Sequence, residues 1–336
     1  METIANSVRH PMQRALAIAL MVIVSATVIC GCALMTEAPK AHVETTPRNA
    51  HSGGQGSPKA GDIVVLVSDE SPAYAGVASI LGAQIGAGVT VRNLRGEHAK
   101  LPATRQLVQA MPQRVVIAVG MLAAEIARDL NGKSVVFCQV FNYAEHDLIR
   151  PWMKGVSAVP PVADQFRAWR QLDPRLKRIG LIMGPGLGDL EVEARTAARA
   201  IGAELVVRES RTDKETRFLF DKLVRDVDGF WLVPDNRILS GNVLRDMLAT
   251  AVKRGKRVAV FNQDVLRLGG VLSAEADPRD VADQVIARVR EVRYIGRDVP
   301  GPDIRPLTRV RITINNVLVR ELGLVVPRTG ERRRAG

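Results

Sequence analysis

The sequence predicts an α/β fold in which two doubly wound parallel-sheet lobes enclose a central cleft. Short apolar runs rich in β-branched residues alternate with segments of helical spacing. This alternation is typical of parallel strands that helices bury on both faces. It also occurs twice, with strand-to-strand intervals of 27 and 25 residues in the first half and of 26 and 25 in the second. A chain of 336 residues is long enough for two such lobes.

Each half contains four predicted strands separated by predicted helices. Because a βαβ crossover is almost always right-handed, this order winds each half into a lobe of its own. The strands of the first half begin at residues 62, 89, 114 and 134, and those of the second at 178, 204, 229 and 257.

A further short strand and an amphipathic helix follow the fourth strand of each half. The spacing of the apolar residues in these two helices indicates core packing rather than a cofactor site. We expect these helices to carry the chain between the lobes. Their apolar residues are Val162, Phe166, Trp169 and Leu172 in the first, and Val281, Val285, Val289 and Val292 in the second.

The N-terminus resembles a bacterial lipoprotein signal. Arg14 precedes an apolar run over residues 15–28, which is shorter than the ~20 residues that span a bilayer and has the size of a signal-peptide core. The run ends in Ile-Cys-Gly-Cys, and Cys32 fits the acylated position because Gly31 precedes it. A signal anchor with incidental cysteines is the alternative. Ala33 follows the cysteine where the usual sorting rule would need Asp for inner-membrane retention, so the outer membrane is favoured.

These features predict the organisation of the whole chain. The segment after Cys32 is rich in Pro, Gly, Ser and Thr without apolar periodicity, which is typical of a flexible tether. The predicted parts are a signal peptide (1–31), the tether (32–61), lobe 1 (62–160), lobe 2 with the inter-lobe crossover helices (161–300), a C-terminal strand and helix (301–327) and a basic tail (328–336).

Charge and cysteine content exclude several classes of function. The net charge is +12, but the basic residues are scattered outside the tail and only 4% of residues are aromatic. A nucleic-acid groove concentrates both, so no nucleic-acid partner is expected. If Cys32 carries lipid and Cys30 leaves with the signal peptide, only Cys138 remains. No internal disulfide and no thiolate metal site are then expected.

Four segments, in order, resemble the ABC transporter substrate-binding proteins, some of which bind aromatic amino acids. The segments are "SVVFCQVFN", "DGFWLVPDNRILS", "RVAVFNQDVLRLGGVLSAEADPRD" and "ITINNVLVRELGLVVP". The resemblance extends over residues 62–327. It implies the type I periplasmic-binding fold and the capture of a small molecule such as an amino acid for an ABC permease. Together with the N-terminal signal, this predicts a protein that is lipid-anchored on the periplasmic side of a bacterial membrane. We also expect a monomer that needs no cofactor.

The fold places the expected binding site beyond the carboxyl ends of the parallel strands. Asp235 is the expected partner of a ligand ammonium group, and the resemblance points to the same residue. The alternative is that Asp235, Asn236 and Ser240 form only a turn and a helix cap, which these residue types favour. The predicted ligand-binding residues are Ser68, Tyr74, Met121, Gln139 and Asn142 in lobe 1, and Asp235, Asn236, Asn262 and Gln263 in lobe 2.

The first-lobe wall departs from the family pattern. Family members often carry Thr where this chain has Met121, and Thr-Asp-Pro where this chain has Val140, Phe141 and Asn142. The missing hydroxyl and acid make this wall more apolar and put an amino-acid ligand in doubt.

Two other functions compete with solute import. A sensor or assembly factor would have the same fold and anchor but no transporter. A nucleotide-dependent oxidoreductase is suggested by Gly184, Gly186 and Gly188 between a strand and a helix. The third fingerprint position, however, would be Asp189, an acid where a pyrophosphate would bind. No metal-site or nucleophile motif occurs, so we expect no enzyme.

Overall fold

The computed structural model describes residues 60–295 and 301–325. The predicted signal peptide, Cys32, nearly all of the tether and the basic tail lie outside this range. Within the described residues, no helix is long and apolar enough to cross a membrane.

Strands and helices alternate along the described chain. The strands are β1 (Ile63–Val67), β2 (Thr90–Asn93), β3 (Val115–Val119), β4 (Ser134–Cys138), β5 (Met153–Val156), β6 (Arg178–Met183), β7 (Glu204–Glu209), β8 (Gly229–Trp231), β9 (Arg257–Val260), β10 (Leu272–Ala276), β11 (Ile304–Arg305) and β12 (Val310–Ile314). The helices are α1 (Pro72–Ile85), α2 (Leu101–Ala110), α3 (Met121–Arg128), α4 (Val162–Leu172), α5 (Gly188–Ala200), α6 (Asp213–Leu223), α7 (Gly241–Lys253), α8 (Gln263–Arg267), α9 (Pro278–Ile295) and α10 (Asn316–Glu321).

The strands form two six-stranded sheets, one in each lobe. The first has the order β11-β5-β4-β3-β1-β2 and the second the order β12-β10-β9-β8-β6-β7. All pairings are parallel except that β12 runs antiparallel to β10. The predicted fold class is therefore confirmed, and each of the eight predicted main strands is present within one residue of its expected start.

Helices bury both faces of each sheet, which explains the near-continuous apolar strands. In the first lobe, α1 and α9 cover one face of the sheet while α2 and α3 cover the other. In the second lobe, α4, α5 and α10 cover one face, and α6, α7 and α8 the other. Phe166 packs edge-on against Trp231, with 5.2 Å between ring centroids. The Phe166 and Trp169 stripe is fully buried, so its assignment to the core is correct.

The chain passes between the lobes three times. It leaves the first sheet after β5 and enters the second lobe with α4. It returns after β10 with α9, whose apolar face packs on the first sheet. It crosses again between β11 and β12, which belong to different sheets. The segment predicted as lobe 2 thus gives α9 to lobe 1, and the predicted single C-terminal strand is two strands. A strand as short as β11 leaves no periodicity in the sequence by which to find it.

One buried carboxylate at the start of α9 fixes the third crossing. Asp280 is 1% exposed and accepts hydrogen bonds from the backbone amides of Thr308 (2.7 Å) and Arg309 (2.8 Å) and from the Thr308 hydroxyl (2.7 Å). Burial alone would raise the pKa of this carboxyl, but the hydrogen bonds outweigh burial and lower it. The connection between the lobes is therefore tied to α9 near its first turn.

Candidate functional site

A cleft of about 770 Å³ lies where the carboxyl ends of the two sheets face each other. Both lobes contribute to its walls, as expected for parallel α/β sheets. Eight of the nine predicted ligand-binding residues line it: Tyr74, Met121, Gln139, Asn142, Asp235, Asn236, Asn262 and Gln263.

Ser68 does not line the cleft, and its predicted contact with ligand is corrected here. Its side chain is buried; the hydroxyl donates to the carbonyl oxygen of Val119 (2.9 Å) and accepts from the amide of Ala123 (3.0 Å). Ser68 therefore joins β1 to the start of α3. The turn is tight, because a Cβ at Gly120 would lie 2.6 Å from the Ser68 hydroxyl and 2.7 Å from the Tyr74 ring.

Asp235 is enclosed by donors of its own lobe. It is 1% exposed. One carboxylate oxygen accepts from Arg237 Nε (2.7 Å) and the Arg237 amide (3.2 Å), and the other from Arg237 Nη2 (2.6 Å) and the Gly184 amide (3.0 Å). A carboxylate has about four acceptor sites, so none is left for a ligand ammonium. The expected ammonium contact does not fit this geometry.

Gly184 and Arg237 are the residues that sequence reasoning missed. A Cβ at Gly184 would lie 2.6 Å from an Asp235 oxygen and 2.5 Å from Arg237 Nη2. Glycine at the end of β6 is therefore required by the close approach of the carboxylate rather than by a bound nucleotide. Two features of the sequence could have indicated this arrangement: Arg237 follows Asp235 by two residues, and Gly184 directly follows a predicted strand.

Ser240 forms the helix cap that the alternative interpretation predicted. The Ser240 hydroxyl accepts from the amide of Val243 (3.3 Å) and caps α7. Asn262 caps α8 in the same way, accepting from the amide of Val265 (2.8 Å). The Asn262 side-chain oxygen is thus occupied, although the residue lines the cleft.

Arg237 also connects the two lobes. Its guanidinium pairs with Glu145 of the first lobe and donates to the carbonyl oxygen of Pro185 (3.2 Å). The hydrogen bond to Asp235, followed by the one to Glu145, raises the pKa of Arg237 despite partial burial. Phe141 from the first lobe packs against the core of the second. The lobes therefore touch along this side of the cleft.

The first-lobe wall contains a residue with an unusual backbone. Gln139 has φ 56°, in the left-handed region that costs a non-glycine residue about 1 kcal/mol or more. Such outliers cluster at functional sites. The turn carries the Gln139 side chain to the cleft wall directly beyond β4.

The remaining charged residues of the cleft are paired. Asp264 lies 2.8 Å from Arg267, and Glu275 lies 3.2 Å from Arg311. No cluster of His, Cys, Asp or Glu in the described ranges could hold a metal ion. The described lining of the cleft is therefore rich in amide and apolar side chains, and each of its charged side chains has an opposite charge beside it.

No protein-family model matches this sequence, and no curated protein matches it either. Solved structures do resemble the fold. An ABC domain in complex with L-Trp from Streptococcus pneumonia matches with a TM-score of 0.57 and 19% identity, covering 79% of this chain and 95% of the other. A ligand-free, open substrate-binding protein with adhesive properties from Clostridium difficile matches with a TM-score of 0.60 and 14% identity, covering 80% and 96%.

A conserved domain protein from Vibrio cholerae is also similar, with a TM-score of 0.56, 18% identity, and coverage of 79% of this chain and 95% of the other. At these identities the similarity establishes the fold. The chain therefore has the two-lobe, type I periplasmic-binding fold that the sequence predicted.

Proposed function

We propose that this protein is a lipid-anchored, extracytoplasmic solute-binding protein that captures a small molecule between its lobes. The observation that carries the proposal is the cleft of about 770 Å³, which is walled by residues of both lobes. Three chain crossings near one another allow the lobes to close about a hinge, which is a known class of domain motion. Ligand contacts to both walls would stabilise the closed arrangement over the open one.

The anchor rests on the sequence around Cys32. The predicted tether over residues 32–61 separates the predicted anchor from the folded body by 30 residues. Cys32→Ser should abolish labelling by a fatty-acid analogue, whereas Cys30→Ser should be labelled normally. Equal labelling of wild type and Cys32→Ser would rule out this anchor.

Delivery of the captured solute to an ABC importer is the first candidate for the role of this protein. The fold similarity to an ABC domain in complex with L-Trp supports it. A sensor or assembly role at the outer membrane is the second candidate, favoured by Ala33 after Cys32. Permease and ATPase genes adjacent to the gene for this protein would favour import, and their absence would favour the second role.

Ligand capture is tested by a thermal-shift screen of the purified protein against small metabolites. A ligand at ~100 times its dissociation constant adds ~2.7 kcal/mol, or roughly 5 °C in Tm for a body of this size. Ala73 is exposed at the cleft, so Ala73→Trp should fill the cleft without disturbing the core and should abolish the shift. A broad library that produces no shift, or shifts that Ala73→Trp retains, would contradict the proposal.

A further inference from the structure

Every charged side chain that lines the cleft, among the described residues, has an opposite charge beside it. The pairs are Asp235 with Arg237, Asp264 with Arg267, and Glu275 with Arg311. Asp235 is buried, the Glu275 and Arg311 side chains are 18% and 49% exposed, and the Asp264 and Arg267 side chains are 87% and 74% exposed. Exposed pairs of this kind stay hydrated and contribute little.

A charged ligand would therefore be poorly accommodated. A ligand ammonium group would have to displace Arg237 from Asp235, and that would leave the guanidinium without its main partner in a partly buried position. Burying a charge without a compensating partner is costly. A zwitterionic amino acid needs two such partners at once.

Several neutral polar groups, by contrast, have no partner. The side chains of Gln139 and Asn236 and the Tyr74 hydroxyl make no hydrogen bond within the part of the chain that the structure describes. Asn142 is 6% exposed, and its buried Oδ1 has no hydrogen-bond partner there. That oxygen is shielded from solvent, whereas the Gln139 and Asn236 side chains and the Tyr74 hydroxyl line the cleft and present unpaired hydrogen-bonding groups to it.

The chemistry of these groups defines a complementary ligand. A carboxamide offers an acceptor and two donors side by side, and it matches a ring edge that carries donors and acceptors next to each other. Tyr74, Phe141 and Phe261 add aromatic rings to both walls, and such rings stack on flat or weakly polar faces.

We infer that the cleft selects an uncharged ring compound with adjacent hydrogen-bond donors and acceptors, of which nucleosides and sugars are the two natural sources, in preference to a zwitterionic amino acid. The inference rests on the proposed capture of a solute and specifies its chemical class.

The test compares pairs of ligands that share a ring system and differ in whether they carry charged groups. Calorimetry and thermal shift are run on the purified protein with adenosine and AMP, glucose and glucose 6-phosphate, and L-tryptophan with its uncharged N-acetyl amide. We expect an uncharged member to bind at least about tenfold more tightly than its charged counterpart. The nucleoside and sugar arms identify the source.

The outcomes separate the inference from the proposed function. Tighter binding of AMP, glucose 6-phosphate or zwitterionic tryptophan than of the uncharged counterpart would overturn the inference while solute capture stands. No binding by any member of the panel would also overturn it. Solute capture itself fails if the broad library is negative as well, or if Ala73→Trp retains the shifts.

A variant pair tests the same point on the protein. Asn236 is exposed and makes no hydrogen bond within the described chain, so Asn236→Asp should fold normally. The added charge should weaken binding of the uncharged ligand by about tenfold. Asn316→Asp, the same substitution at an exposed residue outside the cleft lining, should change the affinity by less than about twofold. Equal affinity of Asn236→Asp and wild type would contradict the inference.

Discussion

The turn after β4 and the turn after β8 face each other across the cleft, yet their polar groups are used in opposite ways. After β8, Asp235 is saturated by Arg237 and the Gly184 amide. After β4, Gln139 has a strained backbone and a side chain without a hydrogen-bond partner in the described structure, and Asn142 has an unpaired buried oxygen. The Asp235 side chain therefore stabilises the cleft wall, whereas the Gln139 side chain is available to contact a ligand.

The largest expected effect is on the charged turn. Asp235→Asn should lower the free energy of unfolding by about 2 kcal/mol, because Arg237 loses its main counter-charge in a partly buried position. Tm should fall by roughly 4 °C in a thermal melt. The dissociation constant of a cleft ligand, measured by calorimetry, should change by less than about threefold.

Asp264→Asn is the matched control, since Asp264 also pairs with an Arg but is exposed; its Tm should stay within about 1 °C of wild type. If Asp235→Asn keeps the wild-type Tm but binds ten times more weakly, Asp235 is a ligand contact and the comparison of the two turns is wrong.

A smaller effect is expected at Gly184. Gly184→Ala should destabilise by roughly 1.5 kcal/mol, because the added methyl group would push Asp235 and Arg237 apart. Urea denaturation measures the loss. Gly188→Ala is the control, because nothing lies within 4 Å of a Cβ at that position. Equal stability of the two variants would mean that the pair moves aside without cost.

The ion pair between the lobes should have a modest effect on affinity. Glu145→Gln removes the first-lobe partner of Arg237, and a partly exposed pair contributes up to about 1 kcal/mol. Ligand affinity should fall by roughly three- to fivefold as the population shifts toward open lobes. Small-angle scattering of the free protein should show a larger radius of gyration. Glu70→Gln, an exposed acid outside the cleft lining, should change neither quantity.

The smallest effect on stability is expected at Gln139. In Gln139→Gly, relief of the left-handed backbone is offset by the greater entropy of unfolded glycine, so the free energy of unfolding should change by less than about 0.5 kcal/mol. Ligand affinity should nevertheless fall by about fivefold through the lost carboxamide. Arg95→Gly, at another left-handed position outside the cleft lining, should leave binding unchanged. Unaltered binding by Gln139→Gly would remove Gln139 from the site.

The fold could be predicted from the sequence because the apolar patterns that indicate strands and helices are local. The apolar character of runs such as β1 and β3 can be recognised from neighbouring residues alone. The same strand spacing also occurs in both halves of the chain, which supports the prediction twice. The place of Asp235 beside the cleft was predictable for the same reason. Its saturation was not, because it depends on the approach of Gly184 from a strand 51 residues away and on the Arg237 side-chain conformation. The third crossing between the lobes was not predicted because β11 is only two residues long and leaves no pattern in the sequence.

Cys138 ends β4 just beneath the turn that opens to the cleft, and it is completely buried. Burial raises the pKa of its thiol to about 12, so only about one molecule in 10⁵ carries the thiolate at pH 7. The thiolate is the species that attacks disulfides and oxidants. Within the described residues this buried cysteine is therefore protected from oxidants and offers no surface thiol through which two copies could be cross-linked.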